Sequence, residues 1–295
     1  MARLAFSGER AFVGFVWHSV SIVLPLGMID SLTGARLKLK RARDHLEVLR
    51  DELAAFTAGE PYGIAHEPNT DGSEHIFRAQ VRKEPPPFLS IIGDALQNMR
   101  SALEHLAWGL TPLSTRQTSE RSIGFPVCTN PQAFEQADRN SPSGYNTRTG
   151  MHKIWTMPPK VRAAIKQLQP YNTGHDDLVI LNELARIDRH QSLRLMGAFT
   201  REVTHSWRKR GAHSGFGVDF SVVKRTEVTI GPFEDGAKVG DFAFSEPEME
   251  VNLQLTPFVA FGDEGTTKGR HALRTLTNIR RHIERVVMPK LERFF

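Results

Sequence analysis

One cysteine in 295 residues, Cys128, excludes an internal disulfide framework and suits a reducing cytosol. It sits in a Phe-Pro-Val-Cys turn with no histidine nearby, the setting of a structural thiol and not of a nucleophile. The chain has no Cys-x-x-Cys pair, no P-loop, no dinucleotide fingerprint and no His-Glu-x-x-His helix. Nothing therefore announces a nucleotide cofactor or a catalytic metal, and none is expected. Gly215-Phe-Gly217 lacks both the third glycine of a fingerprint and the strand–helix setting. His205, His213 and Asp219 do not have a metal-ligand spacing that is diagnostic. No fixed-period repeat and no low-complexity tract interrupts the chain.

What is present is an ordinary globular balance. A hydrophobic content of 40% supplies at least one substantial core, and 24% charged residues argue against disorder. The net charge of +5 is concentrated at one end. From Gly269 to Phe295 stand Arg270, Arg274, Arg280, Arg281, Arg285, Lys290 and Arg293, opposed only by Glu284 and Glu292. Such a tail suits an acidic partner such as nucleic acid, or it is the solvated face of a helix. At the other end, Ala11 to Gly27 is apolar apart from His18 and two serines, yet Pro25 and His18 interrupt it. It is short for a membrane span of about 20 residues. Residues 1–27 are expected to be an extension or to precede the true start, and the protein to be cytoplasmic without stable membrane association.

The first strong element spans about Ser31 to Thr57. Ala35, Leu39, Ala42, Leu46, Leu49, Leu53 and Phe56 alternate in steps of four and three, an apolar seam that needs a partner helix from this chain or another copy. Residues 60–74 read as turns, and His75 to Lys83 as a strand. Pro85–Pro87 then launch a helix, Phe88–Leu110, whose apolar residues gather on one broad face. Short helices are predicted near Pro131–Asp138 and Pro158–Leu168, and a better one at Leu178–His190. From Leu193 to Phe261 the pattern changes to strands separated by turns, an antiparallel meander. Gly269 to Glu292 returns to helix, which Pro289 must kink or end.

This order gives an α+β fold, a bundle of long helices packed with an antiparallel meander in the C-terminal half. The expected division is a mainly helical core at 28–192, a β region at 193–262, and a basic helix at 263–295 packing back on the bundle.

Chemistry is most concentrated in the helix after the prolines. Arg100 and His105 stand on an otherwise apolar rod, one able to clamp a phosphate and the other to exchange a proton near neutral pH. Five residues amount to about 140° of helical rotation, so the two converge only beside a second helix. Asp94, Asn98, Ser101 and His105 fall on one polar stripe, which reads as a supporting cleft or as groups that satisfy one another inside a bundle. On the later helix Asn182, Arg186 and His190 step by four, and with Arg189 they form a candidate phosphate-binding patch. The alternative is surface pairing of Arg186 with Glu183 and of Arg189 with Asp188. Lys209 and Arg210 beside Trp207 make a small basic–aromatic corner suited to stacking on a base, or a hairpin turn with ordinary solubilising charge.

Arg100-Ser-Ala-Leu-Glu-His105 resembles the Arg-x4–6-His signature of HEPN domains, which are helical and often dimeric. The resemblance implies a metal-independent endoribonuclease of toxin–antitoxin or defence type, acting on RNA as a homodimer. His105 would assist attack of a 2′-hydroxyl, and Arg100 would stabilise the developing phosphoryl charge. In active members the residue after the arginine is often Asn, Asp or His; here it is Ser101. The phrases GDALQNMRSALEHLAW and LNELARIDRHQSL are also similar to a group of uncharacterised bacterial proteins, which implies one module with a site shared by His105 and His190. A non-catalytic interaction protein and a small-molecule binder are the competing readings.

Overall fold

Asp30 closes the start of the first helix: its carboxylate accepts the Thr33 amide and the Thr33 hydroxyl, each at 2.8 Å. From that cap α1 runs Ser31–Ala58 and stops at Gly59. The computed structural model describes residues 30–86, 88–118, 122–211, 220–262 and 265–295. The leader 1–27, His213 and Asp219 lie outside them. All seven residues of the predicted α1 seam are buried. Their partner is α2, Leu89–Leu110, which packs along α1 within the same chain. Small residues at the contact, Ala35 and Ala42 on α1 against Ala95 and Ala102 on α2, are completely buried and let the two backbones approach closely.

After α1 the chain forms β1 (Tyr62–Pro68) and β2 (Glu74–Val81), paired antiparallel in the register His66↔Phe77 and Pro68↔His75. Beyond α2 come α3 (Leu113–Thr118), α4 (Pro131–Glu135), α5 (Pro159–Gln167), α6 (Pro170–Thr173) and α7 (Asp177–His190). Next are β3 (Leu195–Lys209), β4 (Val223–Val228), β5 (Gly231–Pro232), β6 (Lys238–Phe244) and β7 (Met249–Phe261). The chain ends with α8 (Ala272–His282), a π-helical turn (Ile283–Val287) and α9 (Met288–Glu292). The fold is α+β, and every strand pairing among the described residues is antiparallel.

One expectation needs correction. Residues 60–74 are not all turn, because Tyr62–Pro68 is a strand. The strand expected at His75–Lys83 is present as β2, and β6 pairs with it, giving a four-stranded sheet in the order β1-β2-β6-β4 beside a three-stranded sheet β5-β3-β7. A short hairpin with weak alternation is marginal alone. Docking its second strand on β6 stabilises it, a tertiary effect invisible to local pattern.

One hydrophobic core joins the two halves. It takes in the α1–α2 seam, Leu181 and Leu184 of α7, Phe77 of β2, Phe242 of β6, Phe261 of β7 and Leu276 and Ile279 of α8. A buried Leu, Ile or Phe contributes about 1.5–3 kcal/mol, so this cluster is the main stabilising term. Helix α8 rests on α1 and α7. The distortion demanded by Pro289 appears as the π-helical turn just before it, which absorbs the missing amide donor one turn back.

Candidate functional site

No side-chain cap closes the N-terminus of α2; its start is set by the prolines and by the Phe88 amide bonding the Pro86 carbonyl at 2.6 Å. Its buried face (Ile92, Ala95, Leu96, Met99, Ala102, Leu103, Leu106) settles the rotation of the rod, and with it where Arg100 and His105 go.

Arg100 turns toward the segment that follows α3. Its Nη2 donates to the Phe125 carbonyl at 2.8 Å and forms an ion pair with Glu104 one turn on. Glu104 in turn accepts the Phe125 amide at 2.9 Å. The pair thus satisfies both backbone groups of a residue that is itself fully buried. The Arg100 side chain is only 16% exposed, and its second terminal nitrogen is buried as well.

His105 lies on another side of the rod, half-buried against α1. A Cβ added to Gly34 would come 2.8 Å from its Nδ1 and 3.0 Å from its Cε1. Within one chain the structure therefore does not bring Arg100 and His105 together. One faces the Phe125 segment, the other faces α1.

The polar stripe does not close either. Asp94 is exposed, and Asn98 donates to the Asp94 carbonyl of its own helix at 2.8 Å instead of reaching His105. Ser101 is half-buried beside them.

On α7, Asn182, Arg186, Arg189 and His190 are all exposed. Arg189 donates to the Ala185 carbonyl at 3.0 Å. Arg186 lines an open cleft of about 900 Å³ with Arg194, Lys268, Glu183 and Glu234. Neither expected surface pair forms as read. Glu183 accepts the Thr266 hydroxyl. Asp188 turns inward onto α2, where Gln97 donates to it at 3.4 Å and a Cβ on Gly93 would meet its Oδ1 at 2.6 Å. His190 lies two residues beyond Asp188, whereas His105 lies twelve residues beyond Gly93, about 18 Å along α2. Those two histidines do not share a site.

The basic–aromatic corner is charge-paired. Arg208 bonds Glu250 at 2.7 Å, Lys209 bonds Glu246 at 2.8 Å, and Arg210 stands 3.6 Å from Glu250. Trp207 packs between Phe220 and Phe244. Cys128 is buried, its Sγ 3.4 Å from the Ala133 carbonyl, and burial pushes its thiol pKa up, as befits an unreactive thiol.

The basic tail is organised in a way that sequence reading did not resolve. Its two acids face inward: Glu284 pairs with Arg43 of α1 at 3.0 Å and with Arg280, and Glu292 pairs with Arg36 at 3.0 Å. Arg270 is taken by Asp176 at 2.6 Å. Arg274, Arg281 and Arg285 are left exposed on the outer side of α8 and the π-helical turn, and none has a carboxylate partner among the described residues.

A feature missed entirely is a histidine pair in the β1–β2 hairpin. His66 Nε2 and His75 Nδ1 are 2.8 Å apart, and His75 Nε2 is 3.1 Å from the Gly72 carbonyl. Nine residues separate the two in sequence, and only the hairpin register joins them.

Among the described residues, no group of three or more His, Cys, Asp or Glu is placed to hold a metal ion. No described helix is long and apolar enough to cross a membrane. Fold and surface thus define an α+β protein with a helical bundle clamped to an antiparallel sheet and an outward guanidinium row. Comparison with family models, curated proteins and solved structures found no match.

Proposed function

We propose that this chain is a cytoplasmic RNA-binding protein that holds the phosphate backbone along the outer side of α8 and does not cut it with Arg100 and His105. One observation carries the reading: Arg274, Arg281 and Arg285 form an exposed row without carboxylate partners among the described residues, while the tail's acids are turned in toward α1. Helical geometry puts Arg274 and Arg281 within about 20° of one another and about 10 Å apart along α8, with Arg285 in the π-helical turn that follows. Guanidiniums so displayed neutralise successive phosphates and contact no particular base, so affinity is salt-dependent and little affected by sequence. Arg186 and Lys268 in the cleft beside α7 offer a second phosphate contact.

Cleavage by the HEPN-type pair needs a guanidinium and an imidazole at one phosphate. In a single chain Arg100 is committed to Glu104 and Phe125, and His105 faces Gly34. The test is anisotropy of a labelled single-stranded RNA with the full chain and with the Arg274→Ala/Arg281→Ala/Arg285→Ala variant. At least a tenfold loss of affinity is expected, and equal binding would refute the assignment. Incubated with the same RNA in EDTA, the protein should leave it intact; cutting that disappears in Arg100→Ala/His105→Ala would restore the nuclease reading.

A further inference from the structure

The His66–His75 pair reads as a directed proton chain. A carbonyl can only accept, so His75 Nε2 must carry the hydrogen it shares with Gly72. In the neutral ring Nδ1 is then bare, and His66 Nε2 must be the donor across the 2.8 Å contact. His66 lies face to face with Phe77, centroids 4.4 Å apart, and nearly coplanar with His75, centroids 5.1 Å apart, which fixes its ring plane. His75 is only 2% exposed.

The chain ends where two parts of the fold are joined. The Gly72 carbonyl also accepts the Met249 amide at 3.0 Å, and the Asp71 carbonyl accepts the Glu248 amide at 2.7 Å. The hairpin tip is thereby tied to the start of β7. Glu248 holds a left-handed φ of 58°, a conformation that costs a non-glycine residue energy and persists only while its neighbours hold it. Around the joint is a cleft of about 610 Å³. Its charged lining is Asp71 from the tip, Arg210 from the end of β3, and Glu248 and Glu250 around the start of β7, while β6 presents Phe244 to His75.

We propose that His66 and His75 form an acid-released latch that holds the tip of the β1–β2 hairpin against the start of β7. A proton on the free Nδ1 of His66 leaves the bond in place, since Nε2 still donates. Release needs a proton on Nδ1 of His75. Two N–H groups then face each other, the bond is lost, and a buried cation is created against Phe244. Partial burial holds both imidazoles below their ordinary value, with His75 adding to the effect on His66. The carbonyls of Gly72 and Met249 oppose it at His75. The sign follows: neutral rings stabilise the joint fully above the ordinary imidazole pKa of about 6.5, and the contribution is lost as pH falls below it.

Hydrogen exchange of the Glu248 and Met249 amides, corrected for intrinsic rate, tests the latch, with imidazole 15N shifts reporting the tautomers. Protection should fall at least tenfold between pH 7.5 and 5.0, with both rings in the Nε2–H form at the higher pH. In His66→Ala, which removes the bond at every pH, protection should already be lowered at pH 7.5. In His75→Gln the pH dependence should vanish. Unchanged protection down to pH 5.0 in the unmodified protein, or an Nδ1–H tautomer on His75, would overturn the proposal.

Discussion

Gly34 of α1 stands so close to His105 of α2 that a methyl group there would lie 2.8 Å from the imidazole Nδ1. Normally an alanine in a helix interior is more stabilising than glycine by about 0.8–1 kcal/mol. Here the sign should reverse. Gly34→Ala should destabilise by roughly 1–3 kcal/mol as His105 is forced off its position. In a His105→Ala background the same change should become stabilising. Urea denaturation of the four proteins in the cycle measures this, and a stabilising Gly34→Ala in the unmodified chain would show that the contact is not tight.

Arg100 should behave as a structural residue. Arg100→Met leaves the buried Phe125 carbonyl and Glu104 without their partner, so a loss of about 1–3 kcal/mol is expected in the same denaturation assay. RNA affinity of the folded variant should be unchanged. A variant of full stability but impaired RNA binding would return Arg100 to the ligand site.

The row on α8 predicts a particular salt response. Each phosphate contact on a single strand contributes about −0.7 to the slope of log K against log salt. Removing Arg274, Arg281 and Arg285 should therefore flatten the slope by about 2, while replacing the paired Arg270 should change it little. Equal slopes for the triple variant and the parent would place the contacts elsewhere.

Asp241 on β6 carries a pH signature of opposite chemistry to the latch. Burial raises its carboxyl, but hydrogen bonds from Lys238 at 2.6 Å and from Arg225 at 2.8 Å outweigh that and hold it below the usual range. Its contribution is complete above the ordinary Asp value of about 3.9 and is lost as pH falls through the lower folded value. The stability gap between the parent and Asp241→Asn should be constant at neutral pH and shrink below about pH 4. A gap that widens in acid would reverse the assignment.

Much of the helical architecture was legible in local pattern. The four-three spacing from Ala35 to Phe56 named the buried side of α1 residue by residue, because helical rotation alone decides which side chains share a face. Pro289 announced a distortion, since a missing amide cannot be supplied by any fold. The strand Tyr62–Pro68 was not legible: its stability comes from a hairpin whose second strand docks on β6, more than 150 residues away. The five-residue spacing of Arg100 and His105 already put them on different sides of one helix, about 140° apart. Which side meets Phe125 and which meets Gly34 depends on the packing of other segments.

The order of side chains by itself determined the long helices, their buried faces, the lack of disulfide and the surplus of cations at the C-terminal end, because each follows from covalent chemistry and short-range periodicity. Tertiary structure alone decided which of those cations meet a carboxylate and which meet solvent. It also decided that two histidines nine residues apart share a proton, and that the α1 seam is filled from within the chain. Pairing and burial are properties of distance in space, and only the folded chain sets those distances.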